Sequence, residues 1–228
     1  MIPRERDFWR TLRVFIFDLD GTLIDSKLDL ALAVNATVEH AGFPPLPHEQ
    51  IYSYIGHGAP RLVRQALGLA EDDPRVEEGL AYFLRYYREH MLDNTVAYPG
   101  VREGLAQLHA AGRLLTVLTN KPERISRDIL RGLGLADAFR LIYGGNSFEG
   151  KKPDPVGIET ILRETGESKE QALVVGDSEI DVETARNAGV PVCGVTYGLG
   201  SRSLEVSGPD LLVSSLTELA ALVCGTPF

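Results

Sequence analysis

Two carboxylates, Asp18 and Asp20, stand one residue apart directly after the apolar run Val14–Phe17. A short unbroken apolar run reads as a buried strand. Alternate residues of an extended segment project to the same side, so both acids can reach one small volume at the strand's end. Two carboxylates sharing a site repel each other, and the repulsion is relieved by a metal ion or a shared proton. Either outcome is chemistry. Gly21 lets the chain turn without a Cβ penalty, and Thr22 adds a hydroxyl. A plain surface turn is also rich in Asp and Gly. The DxDG string alone does not separate the two readings; polar residues at the ends of other strands do.

The elements that must position these acids are legible as periodicity. From Lys27 to Ala41 apolar residues recur at helical spacing, and Gly42 with Pro44, Pro45 and Pro47 ends the run. Further helices are expected over about 48–55, 60–67 and 74–92, with nothing strand-like between them, which predicts a helical bundle. After AYPG at 97–100 the rhythm changes. Helices expected at 101–111, 122–132, 155–165 and 179–188 alternate with the strand-like runs LLTVLT, LIYGG, ALVVGD and PVCGVTY, and LLVSS and LTELAALV close the chain. Alternation of that kind predicts a doubly wound, Rossmann-like parallel sheet of the α/β class. The expected organisation is an α/β core from residues 1–25 and 97–228, with a helical cap domain, 26–96, inserted through hinges near 24–26 and 96–99.

Open α/β sheets bind ligands at the carboxyl ends of their strands. Those ends carry Asp18 and Asp20, then Thr119 and Asn120, then Lys151 and Lys152, then Asp177, Ser178 and Asp181. Carboxylates, a hydroxyl and an ammonium together suit metal-assisted phosphoryl transfer. Each has an ordinary alternative. Thr119 suits any strand, Lys121 and Lys151 read as solvated or rim charges, and Asp177 or Ser178 serves as a helix cap. In the helical block, Gly56 and Gly58 flank His57. They form either a helix-to-helix turn or a substrate-facing loop that completes the site on closure. Arg61 and Arg64 follow on the next helix, where Arg64 can simply pair at the surface.

The composition narrows the classes. A net charge of -9 without a basic tract argues against nucleic acid as partner. Hydrophobic residues at 44% are enough for a sizeable core, so wholesale disorder is excluded. Cys193 and Cys224 lie in no CxxC or Cys/His pattern, which argues against a disulfide framework or zinc site. The charged segment MIPRERDFWRTL lacks the apolar stretch of a secretory signal, and no apolar run is long enough to span a bilayer. A soluble cytoplasmic protein with no membrane partner is expected, as a monomer or a homodimer.

DLDGT at 18–22, LTN at 118–120, KKPDP at 151–155 and GDSEID at 176–181 resemble, in order, the four motifs of the haloacid dehalogenase superfamily. The likeness covers essentially everything after residue 12. YIGHGAPRLVRQALG, YPGV, LTNKP and GVTYGLG resemble its phosphoglycolate phosphatase branch, as does the inserted helical block. The resemblance implies Mg²⁺-dependent hydrolysis of a small phosphate monoester, 2-phosphoglycolate first, through an aspartyl-phosphate. Asp18 would be the nucleophile and Asp20 the general acid and then base. Thr119, Asn120 and Lys152 would bind the phosphoryl group. Asp18, the Asp20 carbonyl and Asp177 would hold Mg²⁺, with Ser178 and Asp181 behind them orienting Asp177 or Lys152. Gly56, His57, Gly58 and Arg61 would face the substrate. Another phosphatase substrate, inorganic pyrophosphate, or a β-phosphoglucomutase-like transfer are the alternatives; Thr22, where mutases often have Val, favours hydrolysis. A dehalogenase would lack an acid at Asp20. A silent scaffold would have lost Asp18, Asp20 or Asp177.

Overall fold

The computed structural model describes residues 6–200, 204 and 206–225; the first five residues of the charged N-terminal segment lie outside them. The chain divides into two compact units. One comprises the residues up to Ile24 and from Ala97 onward, the other Asp25–Val96.

The first unit is built on a six-stranded sheet in which every neighbouring pair is parallel. Strand β1 (Val14–Phe17) lies at its centre, between β4 (Leu114–Leu118) and β6 (Ala172–Gly176). Beyond β4 lies β5 (Leu141–Tyr143); beyond β6 lie β7 (Val192–Val195) and β8 (Leu211–Val213). Every residue of β1 is buried, because both faces of a parallel sheet are covered by crossover helices. Val14 and Ile16 join the cluster of Ile158 and Ile161 from α8 (Val156–Thr165) with Val182 and Ala185 from α9 (Glu179–Ala188). Phe15 and Phe17 alternate with them; they stack on each other, and Phe17 meets Phe139 edge-on. Helix α6 (Val101–Ala110) packs on α10 (Leu216–Cys224) so closely that a Cβ on Gly104 would lie 2.7 Å from the Leu216 backbone. Helix α7 (Glu123–Gly132) links β4 to β5, and α1 (Arg6–Thr11) precedes β1.

The topology creates the site. From β1 the chain builds outward through β4 to β5, then returns to the other flank of β1 as β6. The direction of winding therefore reverses beside β1, and such a reversal opens a crevice at the strands' carboxyl ends.

The second unit is four helices: α2 (Lys27–His40), α3 (His48–Tyr52), α4 (Ala59–Leu67) and α5 (Pro74–His90). Val34, Val38, Ile51, Val63, Phe83 and Tyr87 form its buried centre. Gly79 lets α5 approach α4; a Cβ there would lie 2.9 Å from Leu67 Cδ1. The buried Asp29 accepts four hydrogen bonds, from the backbone and side chains of Asn94 and Thr95, and so ties the start of α2 to the end of the unit. Asp73 caps α5 by accepting from Arg75 N–H at 3.0 Å, with Pro74 in the first turn.

Three features differ from the periodicity, the first being helix α1, which forms in the charged N-terminal segment where no helix is expected. The helix expected over 48–55 stops at Tyr52, and the backbone then turns through Gly56 and Gly58, both at positive φ. The short strands β2 (Ile24–Asp25) and β3 (Val96–Ala97) pair with each other where hinges are expected. Among the described residues no helix is long and apolar enough to cross a membrane.

Candidate active site

Asp18 extends β1 by one rung, donating its N–H to the Val175 carbonyl at 2.9 Å. The chain then turns sharply. The Leu19 carbonyl accepts from the N–H groups of Leu23 and Ile24 at 2.9 and 3.1 Å, and Leu19, Leu23 and Ile24 are fully buried. These apolar anchors fix the turn that carries Asp18 and Asp20. Gly21, at φ +89°, is required here: a Cβ would lie 2.2 Å from the Asp177 carboxylate.

Lys152 sits between two acids. Its Nζ lies 2.7 Å from Asp18 Oδ1 and 2.7 Å from Asp181 Oδ1. The other Asp181 oxygen accepts from Ser178 N–H and Oγ–H at 3.1 and 2.7 Å, at the start of α9. Both oxygens of Asp181 are therefore engaged, one holding Lys152 and one the helix start. Asp177 follows β6 and is held by different donors: Gly200 N–H at 2.9 Å and the Thr22 hydroxyl at 3.3 Å. Tyr197 in turn donates to the Thr22 carbonyl at 2.8 Å.

The second acid has its own cation. Lys121 Nζ lies 2.9 and 3.0 Å from the two oxygens of Asp20; the lysine side chain is buried and that of Asp20 is 13% exposed. Thr119 directly follows β4, and its hydroxyl accepts from Lys121 N–H at 3.2 Å. Asn120 donates from its amide to the Lys152 carbonyl at 3.0 Å, which joins the β4 arch to the 151–155 loop.

These contacts set the electrostatics. Burial pushes the Asp18 carboxyl up to about 6, with Asp181 and Asp20 adding to the rise and Lys152 opposing it. Burial pushes Asp177 further, to about 8; Asp181 and Asp18 add to the rise, while Gly200 N–H and Lys152 oppose it. Burial works against the Lys152 cation, but Asp18 and Asp181 outweigh it and hold the ammonium charged.

The residues fit a cation. Oxygens of Asp18, Asp177 and Asp181 all lie within 4.8 Å of one another. Carboxylate oxygens with no sulfur or imidazole suit a hard divalent ion such as Mg²⁺. Four acids face two lysines, so ionising all four would leave two negative charges without a cation, and Asp177 has no Lys or Arg within salt-bridge distance among the described residues.

The first unit thus brings together Asp18, Asp20, Thr119, Asn120, Lys152, Asp177, Ser178 and Asp181. Gly56, His57, Gly58 and Arg61 belong to the other unit, in the turn before α4 and its first residues. Lys121 and Thr22 were not singled out as site residues by sequence reasoning. A lysine outside any charge pattern reads as solvated, and the partner of Lys121 lies 101 residues away in the chain.

A family model described as "Haloacid dehalogenase-like hydrolase" matches residues 15–195. The chain is 42% identical over 216 residues to a phosphoglycolate phosphatase of Chromobacterium violaceum, covering 93% of this chain and 96% of that protein. It is 41% identical to one of Pseudomonas putida, covering 91% and 78%. A solved structure described as a predicted phosphoglycolate phosphatase from Haemophilus somnus superposes with a TM-score of 0.87 at 32% identity, covering 92% of this chain and 96% of that one.

Proposed function

Because the chain belongs to the haloacid dehalogenase-like hydrolase family, we propose that it hydrolyses 2-phosphoglycolate to glycolate and phosphate through an aspartyl-phosphate on Asp18. The observation that carries this reading is that two acids at one strand end each have a separate lysine: Lys152 for Asp18 and Lys121 for Asp20. Such pairing suits two carboxylates with different tasks. The choice of substrate is supported by the names of relatives about 40% identical over nine-tenths of the chain.

The Asp18 oxygen attacks phosphorus in line with the ester bond. As the new O–P bond forms, the ester P–O bond breaks, and Asp20 gives its proton to the departing oxygen. Water then attacks the aspartyl-phosphate; Asp20 takes its proton, phosphate leaves and Asp18 is regenerated. Lys152, 2.7 Å from Asp18, neutralises the nucleophile and contacts the phosphoryl oxygens together with Thr119 and Asn120. Asp181 fixes Lys152, and Ser178 fixes Asp181. Asp18, Asp177 and the Asp20 carbonyl would hold Mg²⁺, which when bound supplies positive charge to the phosphoryl oxygens. Gly56, His57, Gly58 and Arg61 of the inserted unit, acting as a cap, would read the substrate carboxylate.

Phosphate release with Mg²⁺ tests this reading, with Asp18→Asn as the blank. A kcat/KM for 2-phosphoglycolate well above those for pyrophosphate, β-glucose 1-phosphate and an aryl phosphate is expected. Equal rates on all four would remove the substrate assignment, and turnover by Asp18→Asn near the parent's would remove the nucleophile.

A further inference from the structure

We propose that Lys121 is a positioning residue that holds the Asp20 carboxyl group in the orientation from which, when protonated, it gives its proton to the leaving oxygen. The proposal rests on the reading of Asp20 as the general acid. Its observation is geometric: one ammonium lies 2.9 and 3.0 Å from the two oxygens of a single carboxylate. A contact to both oxygens fixes the rotation of the carboxyl group as well as its distance. An ammonium has three donors on a flexible stem. It can keep one oxygen while the other turns to the reacting atom.

The base of the side chain is equally constrained. Lys121 N–H donates to the Thr119 hydroxyl at 3.2 Å, and the Lys121 carbonyl accepts from Gly145 N–H at 2.9 Å. Behind this arch the chain is pressed close. A Cβ on Gly145 would lie 2.4 Å from the Asn120 carbonyl oxygen, and one on Gly144 2.6 Å from that of Lys121. The three-residue arch 119–121 therefore sets Thr119 and the partner of Asp20 relative to each other. A group that contacts phosphoryl oxygens and a group that aims the proton donor are built on one rigid piece of backbone. No lysine of shorter reach or looser anchorage would give that registration; a displacement of about 1 Å at such a point can reduce a rate about 10²-fold.

Lys121→Met and Lys121→Gln are compared with Asp20→Asn and with the double variant Asp20→Asn/Lys121→Met, with thermal unfolding as the control for folding. The readout is kcat/KM for an alkyl phosphate, whose leaving oxygen needs a proton, against 4-nitrophenyl phosphate, whose leaving group does not. Lys121→Met and Lys121→Gln are each expected to lose about 10- to 100-fold on the alkyl ester and about threefold or less on the aryl ester, as part of the ~10²–10⁴-fold that a general acid contributes. In the Asp20→Asn background the Lys121 change is expected to add nothing, because the two residues act as a unit. If both Lys121 variants lose the two substrates equally, or if the losses multiply in the double variant, while Asp20→Asn alone discriminates between the esters, the positioning role is overturned and the acid stands. If Asp20→Asn itself shows no discrimination, the acid assignment falls and takes this inference with it.

Discussion

Asp177→Asn should stabilise the chelated protein at pH 8, although it removes an acid from the centre of the site. Asp177 is 2% exposed, and burial together with Asp181 and Asp18 moves its carboxyl from an ordinary 3.8 to about 8. Between those values the unfolded chain holds the carboxyl ionised while the folded chain holds it protonated. The unfolded state then binds fewer protons, so stability falls as pH rises, and it is fully present only below about 4. One proton corresponds to ~1.4 kcal/mol per pH unit. From pH 5 to pH 8 this single group therefore removes about 4 kcal/mol. Asparagine has the same shape and no charge. Its oxygen can accept from Gly200 N–H, as Asp177 Oδ2 does at 2.9 Å, and its amide can donate to the Thr22 hydroxyl oxygen.

The assay is urea unfolding in EDTA at pH 5 and pH 8, for the parent and Asp177→Asn. The parent should lose stability across this range, with part of the loss from Asp18, which titrates at about 6. The variant should lose about 4 kcal/mol less and be the more stable protein at pH 8. Added Mg²⁺ should then raise the parent at pH 8, by about 2.7 kcal/mol at a hundred times its dissociation constant, and leave the variant nearly unchanged. A variant less stable than the parent at pH 8 in EDTA would refute the argument that Asp177 is the unbalanced charge.

Lys152→Met should act in the opposite sense. It leaves Asp18 and Asp181 buried without the cation 2.7 Å from each, and breaking a buried pair in this way typically costs about 3–5 kcal/mol; urea unfolding should show a larger loss at pH 8 than at pH 5, since the acids can protonate at the lower value. Gly198→Ala should weaken Mg²⁺ binding and activity together, because the added Cβ would lie 2.2 Å from Asp177 Cβ and 2.5 Å from the Gly21 carbonyl. Overpacking of that kind costs about 1–3 kcal/mol, and calorimetric titration showing parental Mg²⁺ affinity would contradict it.

Much of this site is legible in the sequence because motif and topology coincide. Asp18 and Asp20, Thr119 and Asn120, and Asp177 follow strand ends, with Asp181 in the first turn of α9 and Lys152 on the loop after β5, and a doubly wound sheet delivers strand ends to one edge. Sequence periodicity gives α2 to α10, though not α1, to within a few residues for the same reason: apolar spacing follows burial. What stays hidden is set by partners distant in the chain. Lys121 looks solvated until the turn after β1 brings Asp20 to it. Thr22 reads as a motif position, but its hydroxyl serves Asp177, 155 residues away. Gly198 and Gly200 look like loop filler until Asp177 is found against their backbone. The pairing of β2 with β3 is invisible because two-residue strands carry no periodicity.

On the proposed reading, the distribution of cations among the acids accounts for three separate aspartates serving one phosphoryl transfer. A lysine bound to a carboxylate prevents that carboxylate from giving its full charge to anything else. Asp181 spends one oxygen on Lys152 and the other on Ser178, so it is committed to holding the cation that serves Asp18. Asp20 has both oxygens on Lys121, which suits orientation of a proton donor and leaves little for a metal. Among the described residues, the donors that reach Asp177 are a backbone N–H and a hydroxyl, strong enough to aim it and too weak to neutralise it. A buried carboxylate left in that state is unfavourable by itself and becomes favourable only beside a cation. The same fold would thus keep one acid for the proposed attack, one for the proposed proton transfer and one for charge.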